Sequence, residues 1–411
     1  MRTKQEFIER ENKYLAQNYK PLPIVLEKSE GVWLWDTDGN KYLDFLSAYS
    51  AVSFGHNNER IIKAFNDQLK KLDVPSRAYH TEVLGEFAET ICTITGMDKV
   101  IPMNTGAEAV ETAIKAARRW GHEVKGIPDG KQKILVSNGN FHGRTTTIVG
   151  FSTEAEYRRG FGPFDGGFNH IPFGDADALE HAITPDTCAF MTEPLQGEGG
   201  IIMAPEGWLK KAQEICKKHN VLFIVDEIQT GMGRTGKDFC FQYEIDRPDG
   251  LMLGKALGGG IYPVSAFLGL DNLMQVFDPG SHGSTFGGNP IAMTIALEAL
   301  KILKEDQFAK RSHELGEHLL KRLNELNSPH IKEIRGKGML IGMEIDPDMA
   351  PALDVCLRLK EKGLLCKETH DTVVRFAPPL TITIDELDWA VDQVRSVLSE
   401  MDESYAQKKH T

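Results

Sequence analysis

Between roughly Ser53 and Gly288, six short apolar runs, KVIPM, KILVS, CAFMTEP, VLFIVDE, GLMLGK and VSAFLGL, alternate with longer helical stretches. No other feature restricts the fold of this chain as strongly. Runs without polar alternation are buried on both faces, and their spacing by helices predicts an α/β fold with a mostly parallel sheet flanked by helices. In such sheets ligands sit beyond the carboxyl ends of the strands. Upstream, a polar helix candidate is stopped by Pro21 and Pro23, and VWLWDTDGNKYLDF reads as a β-hairpin around Asp38-Gly39. Downstream of Pro290 come two helical patterns (IAMTIALEALKILKED and RSHELGEHLLKRLNEL), the runs GMLIGMEI and VVRFAPPL, and a final amphipathic helix. These predict a smaller α+β C-terminal domain. The expected division is 1–52 for the N-terminal segment with its hairpin, 53–288 for the large domain and 289–411 for the small one.

Composition narrows the partners. With 59 Asp+Glu against 47 Lys+Arg, the 411-residue chain has a formal charge of −12, which repels phosphate backbones and anionic lipid. Nucleic acid and membrane partners are therefore not expected. The start, MRTKQEFIEREN, has no apolar stretch of signal-peptide type and carries Glu6, Glu9 and Glu11. The six cysteines, Cys92, Cys188, Cys216, Cys240, Cys356 and Cys366, form no CxxC pair, as expected of reduced thiols in a cytoplasmic protein.

Three runs carry chemistry. In MNTGAEAVETAIKAARRW, Thr105 and Glu108 have capping-box spacing, and Gly106-Ala107 would open the helix with unpaired N–H groups facing a phosphate. On its own it is equally a plain capped helix. VLFIVDEIQTG ends a buried strand in Asp226, a placement that demands a cationic partner. A protonated pyridine nitrogen is one such partner; an arginine, a lysine or a metal ion are others. Gln229 is close enough in sequence to approach the same ring. In GLMLGKALGGG, Lys255 follows another buried strand, where desolvation makes an amine nucleophilic toward an aldehyde. A lone lysine of this kind is more often structural. Three such features at strand ends of one α/β region describe a single aldehyde- and phosphate-bearing ring cofactor, pyridoxal 5′-phosphate. NFHGRT adds Phe141, able to stack on a ring, and Arg144, whose planar fork suits a carboxylate. SHGSTFGGNP adds the hydroxyls of Ser284 and Thr285 as phosphate contacts, or is a bare turn.

Two other patterns are set aside. Gly231–Gly236 matches GxGxxG, but the aromatic, turn-rich KDFCFQYEIDRPDG that follows does not open a helix, which argues against a nicotinamide dinucleotide site. His313 and His318 are five residues apart and splay to different sides of a helix, so no metal site is expected.

With these residues in hand, the chain resembles the class III (omega) aminotransferases among the fold-type-I pyridoxal-phosphate enzymes. The resemblance runs almost end to end, through NYKPLP, FLSAYSAV, MNTGAEAVE, GNFHGRT, FGPF, EPLQGEGG, DEIQTGMGRTG, LGKALGGGIYPVSA, PGSHGSTFGGNP, RGKGMLIG and VRFAPPL. It implies that Lys255 is the Schiff-base lysine and proton carrier, that Asp226 faces the pyridine nitrogen, and that Gln229 meets the ring hydroxyl. Phe141 would stack on the ring. Gly106 and Ala107 would form the phosphate loop, and Thr285 would reach the phosphate of the neighbouring subunit, implying a homodimer with sites at its interface. The implied reaction moves the δ-amino group of L-ornithine to 2-oxoglutarate by a ping-pong mechanism. Tyr19 and Tyr49 would bind the α-amino and α-carboxylate end of ornithine, and Arg144 the side-chain carboxylate of 2-oxoglutarate. Arg375 would bind the α-carboxylate of the oxo acid, masked by Glu198 while ornithine is bound. A permanent structural ion pair is the alternative for Arg375 and Glu198. The rival donors are N-acetylornithine and 4-aminobutyrate; a non-catalytic cofactor-binding module is the rival from another class. Departures from the family pattern fall at Ser53-Phe54-Gly55-His56, Asn57-Asn58-Glu59 and Gly199.

Overall fold

The computed structural model describes residues 2–409. Its centre is a seven-stranded sheet in the order Lys99–Met103, Ser265–Gly269, Gly250–Leu253, Leu222–Asp226, Thr187–Thr192, Lys133–Ser137, Phe168–Ile171. Only Ser265–Gly269 runs against the others, so the sheet is mostly parallel as expected. Alternate residues of each strand enter opposite cores. Phe223 and Val225 face one, with Phe190, Leu251 and Leu268. Leu222 and Ile224 face the other, with Met191, Met252 and Phe267. Period-two burial on both faces is why these runs contain no polar alternation.

The helix Gly106–Glu123 covers the second face. Its Thr105 capping box with Glu108 is present, and Val110 and Ile114 are buried. Each such side chain contributes about 1.5–3 kcal/mol. The predicted hairpin is also present, as Trp33–Asp36 against Lys41–Asp44. Its third neighbour was not legible locally: Leu364 lies opposite Leu43 in a parallel pair, joining the N-terminal segment to the C-terminal part. The C-terminal sheet is antiparallel, in the order Ile331–Lys337, Leu340–Ile345, Val373–Phe376, Lys367–Thr369. Helices Phe308–Asn324, Ala352–Glu361 and Ile384–Lys409 complete this part. The helix Pro290–Glu305 packs on helices Glu59–Leu69 and Glu82–Thr95.

The two patterns set aside have structural uses. The segment Gly231–Gly236 is a buried turn that carries Arg234 into the core, and His318 pairs with Asp388 at 2.8 Å. Among the described residues no group of His, Cys, Asp or Glu side chains is placed to hold a metal ion, and no helix is long and apolar enough to cross a membrane. The departure at Ser53-Phe54 is buried: Ser53 Oγ accepts from Arg234 at 2.8 Å and Phe54 packs edge-on against Phe308.

Candidate active site

The carboxyl ends of the central strands open into one cavity. Gly106, Ala107, Phe141, His142, Gly143, Glu193, Glu198, Asp226, Gln229 and Lys255 line it. A larger cavity of about 640 Å³ lies elsewhere, but its arginines Arg118 and Arg119 are already paired with Asp165, Glu123 and Asp278. The strand-end cavity, by contrast, keeps reactive groups unpaired.

Lys255 follows the strand Gly250–Leu253 and holds φ +44°, a left-handed conformation that a lysine adopts only under constraint. Burial pulls its ammonium pKa down to about 8, with the charges of Glu198 and Asp226 pulling back. Its amine makes no hydrogen bond with any described residue. A half-buried, unpaired amine whose charged form is disfavoured is a poor structural element and a good nucleophile.

Asp226 ends the neighbouring strand. Its Oδ2 accepts from His142 Nδ1 at 2.7 Å and its Oδ1 from the Ile228 N–H at 3.0 Å, leaving a lone pair on each oxygen. Burial works against a charged His142, but the hydrogen bond and charge of Asp226 outweigh it and raise the pKa of the imidazole. Also in the cavity lining, the N–H groups of Gly106 and Ala107 form the first turn of their helix with no acceptor among the described residues. That is a ready anion cradle.

The third element joins two parts of the fold. Arg375 Nη1 donates to Glu198 Oε1 at 2.6 Å, and its guanidinium lies 4.8 Å from the centre of the Tyr49 ring. Burial pushes the Glu198 carboxyl up, but Arg375 and Lys255 overcome it and hold its pKa below the usual carboxylate value. Gln229 Nε2 also reaches Glu198 Oε1, at 3.3 Å. Gly197 permits this approach, since a Cβ there would fall 1.5 Å from Gln229 Oε1. Thr369 Oγ1 donates to the Glu198 carbonyl at 2.6 Å, fixing the turn.

The remaining sequence candidates are placed as follows. Phe141 lines the cavity, and Arg144 stands beside it with its guanidinium 5.4 Å from that ring. Ser284 Oγ accepts from Asn104 Nδ2 at 2.9 Å, one residue before the Thr105 cap. Thr285 and Tyr19 are exposed and do not line the cavity within this chain, although Tyr19 is near enough to act on the titration of Tyr49.

The sequence of the chain matches the profile of the family described as aminotransferase class-III over residues 14–398. The chain belongs to the class-III aminotransferases. It is therefore a pyridoxal-phosphate-dependent enzyme. This class-III aminotransferase is 54% identical over 391 residues to the ornithine aminotransferase of Brevibacillus brevis, covering 95% of this chain and 97% of that one. Its fold matches the crystal structure of ornithine aminotransferase from Toxoplasma gondii with a TM-score of 0.96 at 42% identity, over 98% and 97% of the two chains. It also matches a structure named acetylornithine aminotransferase, from Elizabethkingia anophelis, with a TM-score of 0.90 at 48% identity, over 97% and 100%.

Sequence reasoning overlooked two buried residues of this class-III aminotransferase. His142 follows Phe141 directly in NFHGRT, and its place beside a strand-end aspartate was the available signal. Glu193 accepts from the N–H groups of Phe141 and Gly197, at 3.1 and 3.4 Å, so one carboxyl ties two cavity walls together. Burial pushes its pKa up to about 7. Nothing in EPLQGEGG distinguishes its role from that of Glu198.

Proposed function

We propose that this enzyme transfers the δ-amino group of L-ornithine to 2-oxoglutarate in two half-reactions. The products are glutamate-5-semialdehyde, which cyclises to pyrroline-5-carboxylate, and glutamate. The observation that carries this reading is the Arg375–Glu198 pair at 2.6 Å beside Lys255. A terminal-amine donor has no carboxylate next to the reacting carbon, whereas the 2-oxo acid has one. An arginine neutralised by a movable carboxylate serves both substrates in turn.

The cavity fits pyridoxal phosphate, on the unpaired amine of Lys255, the open lone pairs of Asp226 and the acceptor-free N–H groups of Gly106 and Ala107. That group supplies an electron sink for the carbanion formed at the amine-bearing carbon. Asp226, steadied by His142, would hold the pyridine nitrogen protonated, Phe141 would cover the ring and Gln229 would meet its hydroxyl. Lys255 Nζ would take the proton from the amine-bearing carbon of the donor and give it up again within the same half-reaction, and in the second half-reaction would deliver a proton to the 2-oxo carbon of the acceptor. Tyr49 and Tyr19 would receive the far end of ornithine, directing its δ-amine inward. Arg144 would take the side-chain carboxylate of 2-oxoglutarate, and Arg375, released from Glu198, its α-carboxylate.

Ser284 and Thr285 would complete the phosphate site, Thr285 across a homodimer interface, in a cytoplasmic protein. The division at residues 52 and 288 stays our reading of its domains. N-acetylornithine is the rival donor, favoured by the Elizabethkingia relative. In Glu198→Gln, Arg375 is unmasked throughout. We expect the ornithine half-reaction to slow by roughly ten- to a hundredfold, the worth of a charge-assisted hydrogen bond, while glutamate improves as a donor. Equal losses with both donors in stopped-flow measurements would assign the pair a structural role.

A further inference from the structure

Arg144 differs from Arg375 in having no counter-charge. It is exposed, and no hydrogen bond or ion pair ties it to any described residue. Its contacts are two aromatic rings: its guanidinium carbon lies 3.5 Å from the centre of Tyr157 and 5.4 Å from that of Phe141. Tyr157 is on the short helix Ala155–Arg158 and meets Phe141 edge-on, with centroids 6.2 Å apart and planes at 83°. Burial raises the pKa of Tyr157, and the charges of Arg144, Glu198 and Arg375 all act on it. The ring therefore stands among the free arginine, the masked arginine and the cofactor wall.

We infer that Tyr157 is a positioning residue for the amino acceptor, its ring holding Arg144 so that the guanidinium fork faces the distal carboxylate of a dicarboxylic 2-oxo acid. This rests on the assignment of Arg144 made above. A long exposed arginine loses rotamer freedom when it grips a ligand, and that loss weakens binding. Stacking at 3.5 Å orders the guanidinium plane beforehand without occupying its five donors, which an acidic neighbour would do. The ring thus orders the site while leaving its charge for the ligand. A monocarboxylic 2-oxo acid has no group for Arg144, so the arrangement selects for dicarboxylates.

The test uses the holoenzyme, loaded with amine by the donor and then mixed with 2-oxoglutarate or pyruvate in single-turnover measurements. In Tyr157→Leu, the concentration of 2-oxoglutarate needed for half-saturation rises about tenfold, equivalent to about 1.4 kcal/mol. The preference for 2-oxoglutarate over pyruvate falls by the same factor, and Tyr157→Phe, which keeps the ring, restores both. In an Arg144→Gln background, Tyr157→Leu adds nothing. The proposal is overturned if Tyr157→Leu affects pyruvate, ornithine and 2-oxoglutarate alike, or if its effect is undiminished without Arg144. If Arg144→Gln itself leaves the preference for 2-oxoglutarate intact, the assignment of Arg144 fails first. If Arg144→Gln abolishes the preference and Tyr157→Leu does not change it, only the role of Tyr157 fails.

Discussion

Lys255→Ala lowers single-turnover amine transfer by about a thousandfold or more, within the range supplied by a positioned proton carrier together with a nucleophile. The side chain is asked to do two things that no neighbour can take over. Glu198 is engaged by Arg375 and Asp226 by His142, and no other lysine lines the cavity. Lys255→Arg is expected to be equally inactive, because a guanidinium stays protonated at a position where burial brings an amine to about pH 8. The alanine change should not weaken the fold. Lys255 makes no hydrogen bond with the described residues, and replacing a desolvated amine with a methyl group removes an unfavourable burial. A thermal midpoint at or above that of the parent, together with lost turnover, is the expected pair of results. Turnover within about tenfold of the parent would remove Lys255 from the mechanism.

Arg234→Ala has the opposite profile, a large effect on stability that reaches the site through the backbone. Arg234 is fully buried; its Nη1 donates to the carbonyls of Pro378 and Met339 at 2.6 and 3.1 Å, and its Nη2 to the hydroxyls of Ser53 and Ser47 at 2.8 and 3.4 Å. Ser47 in turn donates to the carbonyl of Ala377, two residues beyond Arg375. These bonds fasten an unusual piece of backbone. Ser47, Ala48, Tyr49 and Ser50 hold φ values of 44°, 48°, 60° and 75°, a left-handed turn without glycine. Each such residue costs roughly 1–2 kcal/mol, so the turn persists only because its surroundings impose it. Removing Arg234 leaves two buried carbonyls unpaired and a cavity, a loss of about 4 kcal/mol. It also frees the turn that holds Tyr49 over Arg375. We expect a thermal midpoint lower by several degrees. Arg234→Lys, with fewer donors in a less suitable geometry, should fall between and weaken ornithine more than 2-oxoglutarate. A variant with unchanged midpoint and donor affinity would mean the turn is stable without its clamp.

These two residues also mark what was legible in the sequence. Lys255 was visible because an apolar strand run pointed at it and because the capped helix at Gly106 and the strand-end Asp226 made complementary demands. The sheet was visible for the same reason: residues buried on both faces leave an uninterrupted apolar run. Arg234 was seen only as part of a GxGxxG pattern to be discounted, since local spacing carries no sign of bonds to Ser47 and Pro378, distant in sequence. The left-handed turn was hidden because none of its residues is glycine, the usual signal for positive φ. The strand Phe168–Ile171 escaped because its middle residues, Asn169 and His170, are exposed and interrupt the apolar pattern. Tyr157 was missed because a cation–π contact between residues thirteen apart follows no helical or strand period. What pairs locally can be read from the sequence; what closes the site across the fold cannot.

The central claim is that one pocket alternates between a δ-amine donor and a 2-oxo acid, and the visible spectrum of the purified holoenzyme tests it most directly. Ornithine alone should abolish the absorption band of the enzyme-bound cofactor in a single turnover, 2-oxoglutarate should restore it, and N-acetylornithine and 4-aminobutyrate should act far more slowly. A band that N-acetylornithine abolishes faster than ornithine, or that no amine donor changes, would contradict the account.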